Sequence, residues 1–284
     1  MLQLQIRHTL EKLSNDEGGD LFVDDQWIED AGEMFKDTLR RQLGRQSEDF
    51  RLRMSNIGRP VCQLQMAKSG AKATRRPYNF IVRMMHGDIL ECVMEVLLRV
   101  AQANITGGKN KVALELAGQT IKGEDDIEID HKVYDIKSSS PWAFTNKWSK
   151  GLKGLQADDS FGYIGQLVGY AEAQGKEPGG WIVVDKSSGE IVVVEADMTN
   201  AEKQAVLANM KTTVETVVSD APFKRCFEAE EDTFRGKPTG LKKVPNGSCG
   251  FCDFLTTCWP TAVNKPHPES KAASPPHYWF LEES

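Results

Sequence analysis

Apolar residues recur at helical spacing in LQIRHTLEKL and in DDQWIEDAGEMFKDTLRRQL, with Gly18 and Gly19 between them, and predict two helices in the first sixty residues. A third amphipathic helix is expected over MHGDILECVMEVLLRV, residues 85–100. The pattern then changes period. VALELAG reads as a strand and GEDDIEIDHKVYDIKSSS, residues 123–140, as a hairpin. DDSFGYIGQLVGYAEAQ returns to helical spacing behind acidic N-cap candidates. WIVVD and EIVVVEA follow as strands joined by KSSG, and the capping box from Thr199 to Glu202 opens a helix to about Val218. The segment after Pro260, rich in Pro, Ser and Lys, reads as a surface tail anchored near Tyr278, Trp279 and Phe280. Helices interleaved with mixed strands predict an α/β fold.

The hairpin carries the first candidate chemistry. With a turn at His131 and Lys132, Glu128 pairs with Asp135 and Asp126 with Lys137. Asp126, Glu128, Asp135 and Lys137 then share one face, while Ile127, Ile129, Tyr134 and Ile136 line the other. Converging carboxylates suit Mg²⁺ or Mn²⁺, and a neighbouring lysine adds a charge that orients a water and stabilises a phosphate under attack. An ordinary surface hairpin with a solvated charged face is the alternative.

Gly123, Asp126, Asp135, Ile136 and Lys137 together resemble the core motif of PD-(D/E)xK nucleases, with Asp in the middle acidic position. Glu91, one turn ahead of Glu95 and following Gly87, resembles that family's first motif; many RecB-type relatives have histidine there, and His86 is the weaker candidate here. Gln166 and Tyr170 match the QxxxY motif of RecB-type nucleases. The resemblance implies a PD-(D/E)xK α/β core. Asp126, Asp135 and Glu91 bind Mg²⁺ or Mn²⁺, Lys137 positions the attacking water, Gln166 and Tyr170 hold DNA, and Glu128 is a reserve ligand.

The cysteines form a second pattern. CGFCDFLTTC supplies Cys249, Cys252 and Cys258, and Cys62 lies far upstream. One early cysteine with a late C-x2-C-x5-C resembles the iron-sulfur subgroup of RecB-type nucleases, which includes CRISPR-associated exonucleases. That likeness implies a structural 4Fe-4S cluster tying the two ends of the domain together. Four thiolates also suit tetrahedral Zn²⁺, although the long separation of the first ligand disfavours a compact zinc ribbon. Cys226 is the alternative to Cys62, and Cys92 reads as a buried small hydrophobe. No secretory signal or membrane run is visible, which makes disulfides the less favoured use and a reducing, cytoplasmic setting the expectation.

At 284 residues and 40% hydrophobic content the chain supports one substantial core. A net charge of −6 excludes a generally basic nucleic-acid-coating protein, leaving local patches at Arg51, Arg53 and Arg59, at Arg75 and Arg76, and at Lys147 and Lys150. Trp142, Phe144 and Trp148 leave the lysine strand in a Ser- and Pro-rich segment where they either stack unpaired bases or pack the loop. The expected organisation is a helical element over 1–60, a nuclease domain over 61–262 closed by four cysteines, and a tail over 263–284. The expected activity is metal-dependent exonuclease cleavage at DNA ends, with single strands as one substrate form, in recombination, repair or CRISPR adaptation. No P-loop is present, so unwinding falls to a helicase partner; a recombinase or integrase partner and a homo-oligomeric ring also fit the resemblance. The alternatives are a catalytically silent DNA-binding subunit and a four-cysteine zinc protein.

Overall fold

The computed structural model describes residues 1–44, 49–219 and 221–282. Two helices open the chain, α1 (Leu2–Ser14) and α2 (Asp25–Leu43), the latter capped by the Asp24 side chain. A short α3 (Val61–Lys68) leads to the long α4 (Phe80–Val100). Five strands follow: β1 (Ile105–Gly107), β2 (Lys111–Leu116), β3 (Gln119–Glu124), β4 (Ile127–Ile129) and β5 (Lys132–Ser139). Then come α5 (Pro141–Asn146), α6 (Gly151–Ala157), α7 (Tyr163–Gln174), β6 (Glu177–Asp185), β7 (Ile191–Glu195) and α8 (Asn200–Val218). The capping box of α8 is formed, with Thr199 and Glu202 each bonded to the other's backbone N–H. The chain ends with β8 (Glu230–Phe234), β9 (Lys237–Lys243), the single turns α9 (Asn246–Cys249) and α10 (Leu255–Cys258), β10 (Ala262–Pro266) and β11 (His277–Leu281).

The main sheet has the order β1-β4-β5-β6-β7, mixed because β5 and β6 run parallel while the other pairs are antiparallel. α7 supplies the crossover that a parallel pair requires. Ile127, Ile129, Tyr134 and Ile136 pack on one face against Leu2 and Ile6 of α1 and Met94 and Leu98 of α4. Val133, Trp181 and Val183 pack on the other, against Leu167 and Tyr170 of α7 and Val214 of α8. Met54 and Ile57, upstream of α3, also belong to that second core. A mixed sheet between helical layers is the α/β class expected. No helix among the described residues is long and apolar enough to cross a membrane.

The hairpin register differs from the expected one. Ile129 pairs with Lys132 and Ile127 with Tyr134, so the turn is Asp130-His131. Both residues have positive φ, 50° and 62°, as a two-residue turn matching strand twist demands. The slip is two residues. An even shift preserves faces, so the acidic and apolar sides stand as read while Glu128 comes opposite Val133 instead of Asp135.

Residues 262–281, expected as a surface tail, form β10 and β11 of a second sheet ordered β10-β11-β9-β8. Its core holds a buried carboxylate. Asp232 is fully buried and accepts from Lys243 Nζ at 2.8 Å and Thr239 Oγ1 at 2.8 Å, with His267 Nε2 at 3.0 Å. Burial raises its pKa, but the bonds from Lys243 and Thr239 outweigh that and hold it below the ordinary carboxylate value. Its stabilisation is therefore complete above the unfolded value of about 3.9 and is lost as pH falls through the lower folded value. Asp232→Ala should cost about 3 kcal/mol at pH 7 in urea melts, and the gap to wild type should narrow at pH 3.

Candidate active site and thiol pocket

β5 is a central strand flanked by β4 and β6, yet it carries Asp135 and Lys137 at mid-length. Central parallel strands are ordinarily apolar throughout. Asp135 is 1% exposed, and the face it occupies is covered by α7, which rules out a solvated surface hairpin. Lys137 Nζ donates to Asp135 Oδ1 at 2.6 Å and is equally close to Oδ2, which is buried without a hydrogen-bond donor. Asp126, in the bend between β3 and β4, accepts the Ile136 N–H on Oδ2 at 2.8 Å.

Glu91, on α4, reaches the same place. It is ion-paired with Lys109 from the loop between β1 and β2, whose ammonium also lies 3.0 Å from buried Glu95. The charges act on one another. Burial and the Asp135 charge raise the proton affinity of Asp126, while Asp135 is raised mainly by burial against the opposing pull of Lys137. Burial, with Asp126 next, raises Glu91. For Lys137 and Lys109 the attraction of these carboxylates overcomes burial, so both stay firmly protonated.

α7 supplies the opposite wall. Gln166 Nε2 donates to the Tyr170 hydroxyl at 3.4 Å, and burial, joined by the Asp126 and Asp135 charges, pushes that hydroxyl up to about 12. Tyr163, at the start of the helix, places its ring 5.4 Å from Lys137 Nζ. Asp159 accepts the Tyr163 and Ile164 N–H groups at 2.7 and 2.9 Å and caps this end. Asp125, beside Asp126, is turned away into bonds from the Asn110 N–H at 2.6 Å and Gln174 Nε2 at 2.8 Å, which lock the bend that presents Asp126.

Six predicted residues therefore share one site: Glu91, Asp126, Asp135, Lys137, Gln166 and Tyr170. Glu128 does not join them. It is buried in an ion pair with Lys176 and a bond from Thr106 Oγ1 at 2.8 Å, so its reserve role is withdrawn. His86 is exposed on α4. Lys109 and Tyr163 were not foreseen. No local pattern marks Lys109, whose partner Glu91 is 18 positions away.

Cys62, Cys249, Cys252 and Cys258 line one largely apolar pocket with Phe227 and Trp259. Cys226 lies alongside: its Sγ accepts the Cys62 N–H at 3.2 Å, and the Cys62 thiol is bonded to it, which draws the Cys226 pKa down and the Cys62 pKa up. Burial pushes Cys249 up to about 11. All six cysteines are free thiols, and Cys92 is buried on α4 as expected. Among the described residues no three His, Cys, Asp or Glu side chains are already set at metal-ligand spacing. In the acidic site Glu91 and Asp135 are paired with Lys109 and Lys137.

No protein-family model matches the chain, and no curated protein matches it. The chain is similar to a solved structure described as "Crystal structure of SSO0001", with 15% identity over 80% of this chain and 95% of the other and a TM-score of 0.43. A likeness that distant bears on neither fold nor activity.

One glycine sets the site's geometry. A Cβ on Gly123 would lie 2.6 Å from Met54 Cβ and 2.7 Å from Tyr170 Cε1. Gly123→Ala should therefore displace Tyr170 and cost about 1–3 kcal/mol by overpacking, measured as a fall in melting temperature.

Proposed function

We propose that the chain is a metal-dependent DNA nuclease with a PD-(D/E)xK core of RecB type, hydrolysing phosphodiester bonds at DNA ends. The observation that carries the reading is charge imbalance in a buried place. Glu91, Glu95, Asp126 and Asp135 face Lys109, Lys137 and Arg99, the last 3.6 Å from Glu95, so four carboxylates meet three cations. Burial first, and the neighbouring carboxylates after it, raise the proton affinities of Asp126, Asp135 and Glu91. A divalent cation bound among these oxygens would offset the remaining negative charge.

The residues fit Mg²⁺ or Mn²⁺. All donors are oxygens, and Asp126, Asp135 and Glu91 act on one another in one buried place. Asp126 and Asp135 are the ligands, with Glu91 direct or through water. A cation held there lowers the pKa of its water and offsets charge on the phosphate. Lys137 remains an ammonium at neutral pH, so it positions the attacking water and balances phosphate charge rather than accepting a proton. The Tyr163 ring limits where that ammonium points. Gln166 and Tyr170 hold substrate on the α7 side.

The thiol pocket fits a metal by donor type, with four sulfurs facing one apolar space. A 4Fe-4S cluster held by Cys62, Cys249, Cys252 and Cys258 joins α3 to the C-terminal turns. The same four thiols suit tetrahedral Zn²⁺, which is the second reading.

End-labelled linear DNA should be degraded with Mg²⁺ or Mn²⁺ and not with EDTA, and Lys137→Ala should lower the rate at least about 100-fold. Wild-type protein with its thiol metal intact that degrades neither linear nor circular DNA would instead indicate a silent DNA-binding subunit. Iron with acid-labile sulfide should be present, and Cys249→Ser should lose it together with melting temperature. Zinc without iron would select the other metal. Cys226→Ser is expected to retain the metal.

A further inference from the structure

A cavity of about 260 Å³ opens where the chain leaves β5, lined by Trp142, Asn146, Lys147, Lys150, Lys153 and Asp158. Its shape comes from a tight hook between α5 and α6. Gly151 has φ +68°, and a Cβ on Gly154 would lie 2.2 Å from the Lys147 carbonyl oxygen. The hook brings three lysines to one opening within seven residues.

The three are not equivalent. Lys147 is buried and paired with Asp158 at 3.3 Å. Asp158 is the one carboxylate in the lining, so Lys150 and Lys153 stand exposed with no ion-pair partner among the described residues. Trp142 is 67% exposed, whereas Phe144 and Trp148 are buried in the core at 7% and 3%. Of the three aromatics in this segment, only Trp142 is open to a ligand. An open indole face beside two unpaired ammonium groups is the complement of a base and its phosphate.

Ring contacts join this cavity to the acidic site. Trp148, one residue beyond Lys147, lies 5.4 Å from the Tyr163 ring, and Tyr163 faces the Lys137 ammonium at 5.4 Å. The cavity and the lysine strand are thus tied through one packed aromatic pair, and the chain runs directly from Lys137 into the cavity wall at Trp142. We infer that the cavity is a nucleotide subsite for single-stranded DNA, with Trp142 stacking a base and Lys150 and Lys153 holding its phosphate. The inference rests on the nuclease reading for its substrate class. Single strands are selected because a base stacked in a duplex has no face free for Trp142.

The test uses the whole protein in EDTA, so that nothing is cut, and a fluorescein-labelled dT oligonucleotide of about twelve nucleotides, within the range of known single-strand sites. Affinity is measured over a salt series for wild type, Trp142→Ala and the double variant Lys150→Gln/Lys153→Gln, each checked by melting temperature. Trp142→Ala should bind about tenfold more weakly at every salt concentration. The lysine variant should lower the slope of log affinity against log salt by roughly 1.4, two phosphate contacts at about 0.7 each. A merely structural role for the lysines moves melting temperature and leaves that slope alone. Unchanged affinity and slope in folded variants, or a wild type that binds no oligonucleotide, overturns the subsite. If wild type then degrades DNA with Mg²⁺, the nuclease reading stands without it. If affinity and slope fall as expected while wild type degrades nothing, the subsite stands and the nuclease reading falls.

Discussion

The Asp135–Lys137 pair in the middle of β5 is the constraint around which the rest of the molecule is arranged. A strand hydrogen-bonded on both sides and covered by helices on both faces has no water to spare for a carboxylate and an ammonium. Burying them costs several kcal/mol per ion unless every charge finds a counterpart. Much of the surrounding structure supplies counterparts or holds them still. The Ile136 N–H fixes Asp126 beside the pair, Asp125 locks the bend that delivers Asp126, and Tyr163 stacks beneath the ammonium. These groups come from sequence positions far apart, so only the closed fold assembles them.

The faces of the hairpin were legible because strand alternation has period two and survived a register error of two residues. The turn itself was misplaced. Asp130 and His131 carry positive φ, a conformation for which aspartate at the first position is a recognised signal and histidine a weak one. Helix α8 was legible from its capping box, a local interaction that needs no tertiary partner. The β8–β11 sheet was not, because β8 to β10 are mostly charged or polar with prolines in β9 and β10, and even the aromatic β11 takes its place only from pairing with β10 and β9. Lys109 escaped notice for the same reason, since its carboxylates belong to another element. Cysteine spacing marked one pocket, but the contact between Cys62 and Cys226, 164 positions apart, is a tertiary fact.

That contact bears on how the two ends of the chain are joined. Cys62 lies in the first turn of α3, Cys226 in the loop before β8, Cys249 and Cys258 at the ends of the two single-turn helices after β9, and Cys252 between those helices. The same seam is stitched by polar bonds: Thr257 Oγ1 donates to the Lys72 carbonyl at 2.6 Å, Arg76 pairs with Asp253 at 3.0 Å, and the Thr74 N–H donates to the Asp253 carbonyl at 2.6 Å. Such exposed bonds contribute modestly one by one. Closing so long a loop with a metal would add to them chiefly by restricting the unfolded chain. On the proposed readings the thiol pocket and the acidic site would serve different ends, one closing the chain and the other holding a cation.

Lys109 makes the acidic site more than a set of ligands. Glu91 and Glu95, one helical turn apart on α4, both turn to its ammonium, and Glu91 also feels the charge of Asp126. Lys109 sits in a loop with φ +54°, next to Gly108 at φ +146°, and is not anchored in a strand. On the nuclease reading, a divalent cation at Asp126 and Asp135 repels that ammonium while attracting Glu91. Glu91 then has two competing partners, one fixed by the sheet and one carried by a loop. On that reading Glu91, Glu95 and Asp135, paired with Lys109 and Lys137 rather than gathered on a common centre, would exchange part of that pairing for a cation.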